Sequence, residues 1–137
     1  MGLRQMNSPL TPYIEEYDLL TPEELEYITN GCGPKFGSLY RLVPDFCGLY
    51  TPACDFHDWI YWSGGPPEIR YEGDKKMKRD MAHENSKLSR WKRWALLWTP
   101  RVYYSVVRRV GEVAFHKAVK RRTRADLRRE MSHGGIQ

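Results

Sequence analysis

Cys54, His57, Asp58 and Tyr61 fall at positions i, i+3, i+4 and i+7 of one segment, Cys54-Asp55-Phe56-His57-Asp58-Trp59-Ile60-Tyr61, so on a helix their side chains share a stripe. Turned into a core, such a stripe needs hydrogen bonds or a metal ion to satisfy it. A neutral imidazole can accept a proton near pH 7, and a carboxylate beside it can accept hydrogen bonds or bind a cation. The plainer alternative is a core histidine bonded to a backbone carbonyl, with Asp58 an ordinary surface acid.

The elements that position these residues are announced by proline. Thr-Pro occurs at Thr11-Pro12, Thr21-Pro22, Thr51-Pro52 and Thr99-Pro100, each readable as a cap followed by a proline that loses no helical hydrogen bond. Glu24 completes a capping box with Thr21, and that helix runs to Asn30-Gly31. The helix opened by Thr51-Pro52 carries the stripe and stops at Ser63-Gly64-Gly65-Pro66-Pro67. A third helix is expected near Gly73-Asp74, burying Met77 and Met81, with a small β-hairpin conceivable over 66–73. Residues 32–50 read as an ordered loop. Trp91, Trp94 and Trp98 recur at helical spacing over 86–98, and a last long helix from Pro100 is expected to turn Val102, Val106, Val110, Val113 and Ala114 to one side. Beyond it, Arg121 to Arg129 is mostly charge, and the end from Ser132 is expected to fray.

Composition bounds the whole. The 137 residues are 41% hydrophobic and 28% charged, which suits one folded, mainly α-helical domain and excludes a disordered polar chain. The net charge of +5 conceals about −8 in residues 1–74 and about +13 in residues 75–137. The basic half either attracts an anionic partner or lies across the acidic half. Neither a secretory signal nor an apolar run of membrane-spanning length is visible. Cys32, Cys47 and Cys54 are too few for a disulfide-stapled scaffold.

Three separated segments, the loop Asn30-Gly31-Cys32-Gly33-Pro34-Lys35-Phe36-Gly37, the Cys54-x-x-His57-Asp58-x-x-Tyr61 helix and the later Gly73-Asp74-Lys75-Lys76-Met77, together resemble the phospholipase A2 superfamily, especially its short bacterial and viral members. The resemblance covers about residues 30–81 as a core, with a basic helical region over 86–131 outside it. It implies a small mainly α domain in which a pair of antiparallel helices carries the His/Asp site, followed by a basic C-terminal helical extension. It further implies that His57 is the general base, that Asp74 holds its ring with help from the Tyr61 hydroxyl, and that the Gly33 amide assists the oxyanion. Ca2+ would be held by Asp58 and the carbonyls of Gly31, Gly33 and Lys35. Lys35 stands where that family usually has glycine, which penalises a left-handed loop conformation and predicts weak calcium binding. By the same resemblance Cys32 and Cys54 pair in an oxidising compartment and remain thiols in a reducing one.

The activity so implied is calcium-dependent hydrolysis of a glycerophospholipid acyl ester. The alternative is a catalytically inactive, basic binding module acting on a membrane, a nucleic acid or a protein. Trp91, Trp94 and Trp98 with Arg90, Lys92 and Arg93 suit a phospholipid membrane surface, although an aromatic stripe at this spacing is equally the mark of a buried face. The run from Lys117 to Arg129, with Tyr103 and Tyr104, is the weaker case for nucleic acid, since a solvated helix end explains it. A histidine–aspartate phosphohydrolase would need a second well-placed pair of histidines that the chain does not offer. The expected setting is cytoplasmic or virion-associated, with release left open, and a phage or bacterial source.

Overall fold

A computed structural model describes residues 8–30 and 49–134, which are mainly helical and, among those residues, contain no strand. The helices are α1 (Thr11–Tyr17), α2 (Pro22–Asn30), α3 (Thr51–Ser63), α4 (Pro67–Ser86), α5 (Arg90–Ala95), α6 (Thr99–Val110) and α7 (Arg124–Gly134), with a 3-10 turn, Gly111–Ala114, after α6.

All four Thr-Pro pairs open helices, but by two mechanisms. Thr21 is a true cap: the Glu24 amide donates to its hydroxyl at 3.1 Å and the Thr21 amide donates to the Glu24 carboxylate at 2.9 Å, the reciprocal box. In α1, α3 and α6 the threonine is already helical, and the cap residues Leu10, Tyr50 and Trp98 make no side-chain cap bond. There proline alone sets the start, by its fixed φ and missing donor. A second box, Thr123 with Asp126, starts α7: the Thr123 amide donates to Asp126 at 2.8 Å and the Asp126 amide to the Thr123 hydroxyl at 3.3 Å. The charge run after Arg121 therefore contains an ordered helix, which continues past Ser132 rather than fraying there.

The third expected helix starts six residues earlier than Gly73, at Pro67, so no hairpin forms over 66–73. Pro66 is extended, with φ −68° and ψ 160°, and Pro67 takes the first helical position. Gly73 is a contact point instead of a boundary: a Cβ there would lie 2.8 Å from Ile60 Cγ2, so glycine lets α4 approach α3. In α6 the valine stripe is not the core face. Tyr103 and Val107 are buried while Val102, Val110 and Val113 are exposed, and the helix ends at Val110.

α3 lies at the centre. Every residue from Phe56 to Ser63 is buried, as expected of a helix covered on all sides. Phe56, Trp59, Ile60, Tyr61 and Trp62 pack with Leu10, Tyr13, Ile28, Ile69, Phe115 and Leu127. Ala53 joins a second cluster with Tyr50, Met77, Met81, Tyr103 and Val107. A buried helix end must satisfy its last carbonyls, and distant segments do so here. Tyr61 O accepts from the His116 amide at 3.0 Å, Ser63 O from the Arg122 amide at 2.6 Å, Trp62 O from Arg122 Nε at 2.8 Å, and Gly64 O from the Tyr13 hydroxyl at 2.6 Å. Gly64 turns the chain out of α3 at φ +69°, a conformation that favours glycine.

The two charge halves meet. Arg121 pairs with Glu16, and Arg124 and Arg128 with Glu24, while Arg122–Glu130 and Arg129–Asp126 are pairs within the basic half. With Leu127 fully buried, α7 is docked on the core and is not an extension of it. Each of these arginines has an acidic partner within the chain, and Arg128 and Arg129 stay 67% and 70% exposed.

Candidate active site

One turn of α3 and one point of α4 build the site. His57 and Asp74 are 1% and 0% exposed, and His57 Nε2 lies 2.6 Å from Asp74 Oδ1. A carboxylate at this distance accepts, so Nε2 donates to it, and in the neutral form of the ring the acceptor nitrogen would be Nδ1. The Tyr61 hydroxyl donates to the same Oδ1 at 2.7 Å, and its ring leans on the imidazole with centroids 4.2 Å apart. Tyr61 can stand there because residue 111 is glycine: a Cβ on Gly111 would lie 2.8 Å from the Tyr61 hydroxyl.

The other Asp74 oxygen belongs to a residue that sequence reasoning missed. Arg108 Nη1 donates to Oδ2 at 2.7 Å, with its guanidinium stacked over Tyr71. Arg70, nearly buried, braces the end of α6 by donating to the carbonyls of Val107 and Arg108 at 2.8 and 2.9 Å. Nothing local marks either arginine, since Arg108 sits 34 residues from Asp74 in a helix rich in arginine. Burial by itself would raise the Asp74 pKa, but the donors His57, Tyr61 and Arg108 outweigh it and hold the carboxyl below its ordinary range. Burial first, and then the Asp74 charge, push the Tyr61 phenol far up, so it remains a donor. The constellation is thus an ionised acid, a fixed tautomer and a neutral phenol.

Asp58 follows His57 in α3 and is 3% exposed. Burial raises the Cys54 thiol to about 12, and the charges of Asp58 and Asp55 add to it. Tyr17 is likewise raised to about 12 by burial and then by Asp55, Asp18 and Asp58. This end of α3 is electronegative, the sign a cation requires. Asp58 fits calcium as a hard oxygen donor, yet no group of three or more His, Cys, Asp or Glu converges as a ligand set among the described residues. A cation here depends on backbone oxygens. Those expected from Gly31, Gly33 and Lys35, the Gly33 amide, and the partner cysteine Cys32 lie outside the described residues.

The tryptophans expected at an interface sit on α5 and in the turn after it. Trp91, Trp94 and Trp98 are exposed, as are Arg90, Lys92 and Arg93, which overturns their reading as a core face. No helix among the described residues is long and apolar enough to cross a membrane.

Comparison with protein-family models, with curated proteins and with solved structures finds no match for this chain.

Proposed function

We propose that the chain is a carboxylic ester hydrolase of the phospholipase A2 type, acting on a glycerophospholipid acyl ester. The reading rests on one observation: His57 Nε2 is held at 2.6 Å by Asp74, which also accepts from Tyr61. α3 and α4 each contribute one residue to that contact. In this reading Nδ1 is the ring's proton acceptor.

In this reading Nδ1 removes a proton from a water molecule as its oxygen adds to the acyl carbon. The imidazolium so formed is stabilised through Nε2 by the Asp74 carboxylate. Collapse of the tetrahedral adduct breaks the acyl carbon–oxygen bond, and the proton passes from Nδ1 to the departing alkoxide. No serine or cysteine nucleophile is required. Asp58 with the carbonyls of Gly31, Gly33 and Lys35 would hold a calcium ion, whose chemistry when bound is to polarise the ester carbonyl.

Purified protein is expected to release fatty acid from phospholipid vesicles in the presence of calcium, with release stopped by chelation. His57→Gln should lower the rate by about a hundredfold or more while leaving the melting temperature near that of the parent. Release unchanged by His57→Gln would sink the proposal. A second reading, a non-catalytic basic binding module, is favoured by the all-exposed cationic helix α5. It predicts no heat in a calorimetric calcium titration and no ester cleavage.

A further inference from the structure

Helix α5 and the turn after it carry the most exposed aromatic side chains among the described residues. Trp91 and Trp94 are 68% and 76% exposed, followed by Leu97 at 62% and Trp98 at 48%. Indole rings left in water at this density are an apolar feature that a protein surface rarely carries without a partner. The same stretch is free of acids: between Glu84 and Glu112 the chain has only cations among its charged residues. Arg90, Lys92, Arg93 and Arg101 are exposed around the tryptophans.

We propose that α5 and the turn to Trp98 form a docking surface for the anionic face of a phospholipid bilayer. Indole rings partition to the boundary between headgroups and acyl chains, where their apolar body is covered and the ring N–H stays wet. Arginine and lysine beside them meet lipid phosphates. The interleaved Leu97 has nothing to stack on a nucleobase but gains from acyl chains, which favours a bilayer over a nucleic acid. The surface is also firmly mounted: Asn85 Nδ2 donates to Leu96 O at 3.0 Å, and Asn85 Oδ1 accepts from the buried Tyr50 hydroxyl at 2.5 Å. α6 then leads from Trp98 to Arg108 over roughly 15 Å of helix rise, so the patch is joined by a rigid element to the Asp74 site.

The test uses the full chain and vesicles of ether-linked lipids, which have no ester to cut, without calcium; its outcome is therefore independent of any hydrolysis. Vesicles rich in phosphatidylglycerol should bind and blue-shift the tryptophan emission, brominated acyl chains should quench it, and pure phosphatidylcholine should bind much more weakly. Trp91→Ala/Trp94→Ala/Trp98→Ala, all at exposed positions, should weaken binding by about tenfold or more with an unchanged circular dichroism spectrum. Arg90→Gln/Lys92→Gln/Arg93→Gln should remove the preference for anionic vesicles. Binding unaltered by the tryptophan substitutions overturns the proposal. So does tighter binding to a single-stranded oligonucleotide than to vesicles, or a dimer in solution that the tryptophan substitutions dissociate.

Discussion

Asp74 concentrates the electrostatics of the molecule in one carboxylate that accepts from a histidine, a tyrosine and an arginine. Removing the charge leaves buried donors without their acceptor. Asp74→Asn is expected to cost about 2–3 kcal/mol, less than a fully buried pair because the Arg108 side chain is partly open to solvent. The pH dependence has a definite sign. A carboxyl whose folded pKa lies below its unfolded one contributes stability above the unfolded value and loses it as pH falls through the folded value. Asp74 is such a group, and so is Glu24, where burial works upward but the Thr21 amide and Arg124 prevail. Thermal melts should be highest above about pH 5 and fall with acidification, and Asp74→Asn should reduce that fall. A melting temperature that rises on acidification would contradict this picture.

The elements are placed by glycines at two contacts of different kinds. Gly64 has φ +69°, and a Cβ there would lie 1.8 Å from the His116 carbonyl oxygen, so both backbone strain and a rigid clash oppose any side chain. Gly111 has an ordinary helical φ of −77°, and what stands in the way is the Tyr61 side chain, its hydroxyl at 2.8 Å and its ring carbon Cε2 at 3.1 Å. Gly64→Ala should therefore lose about 2–4 kcal/mol in urea unfolding. Gly111→Ala should lose about 1–2 kcal/mol, and it should reduce hydrolysis out of proportion to that loss because Tyr61 is driven off Asp74. Equal effects of the two substitutions on activity and stability would show that Tyr61 does not matter to the site.

Across the whole molecule the C-terminal third acts as a clamp on α3. Its amides and Arg122 satisfy the carbonyls of Tyr61, Trp62 and Ser63, Phe115 stacks edge-on against Tyr61, and Leu127 closes the core from α7. The acidic first half and the basic second half are joined by Glu16 with Arg121 and Glu24 with Arg124. Leu127→Ala is expected to cost about 2–5 kcal/mol, read as a lower urea midpoint with one cooperative transition. If α7 were a solvated extension, the substitution would leave the midpoint where it was.

What the sequence determined by itself is local. Proline and glycine limit backbone angles within a few residues, so the start of α3 at Thr51, its end at Ser63 and the Thr21 box of α2 were legible from residue order alone. So was the shared face of His57 and Tyr61, because helical periodicity is a local property. The Thr123 box was equally present in the sequence but hidden in a run of arginine that reads as solvated charge. Tertiary structure decided the rest. Whether Gly73 opens a helix or lies inside one and admits Ile60 depends on what lies opposite. Whether Tyr103 or Val102 faces inward depends on which neighbour covers α6. Which of many arginines reaches Asp74 depends on how α6 packs on α4, which brings together residues 34 apart in the chain. Periodicity names the candidates for burial and charge pairing, but a partner is chosen only when the elements meet, and Arg108 became part of the His57 constellation at that point.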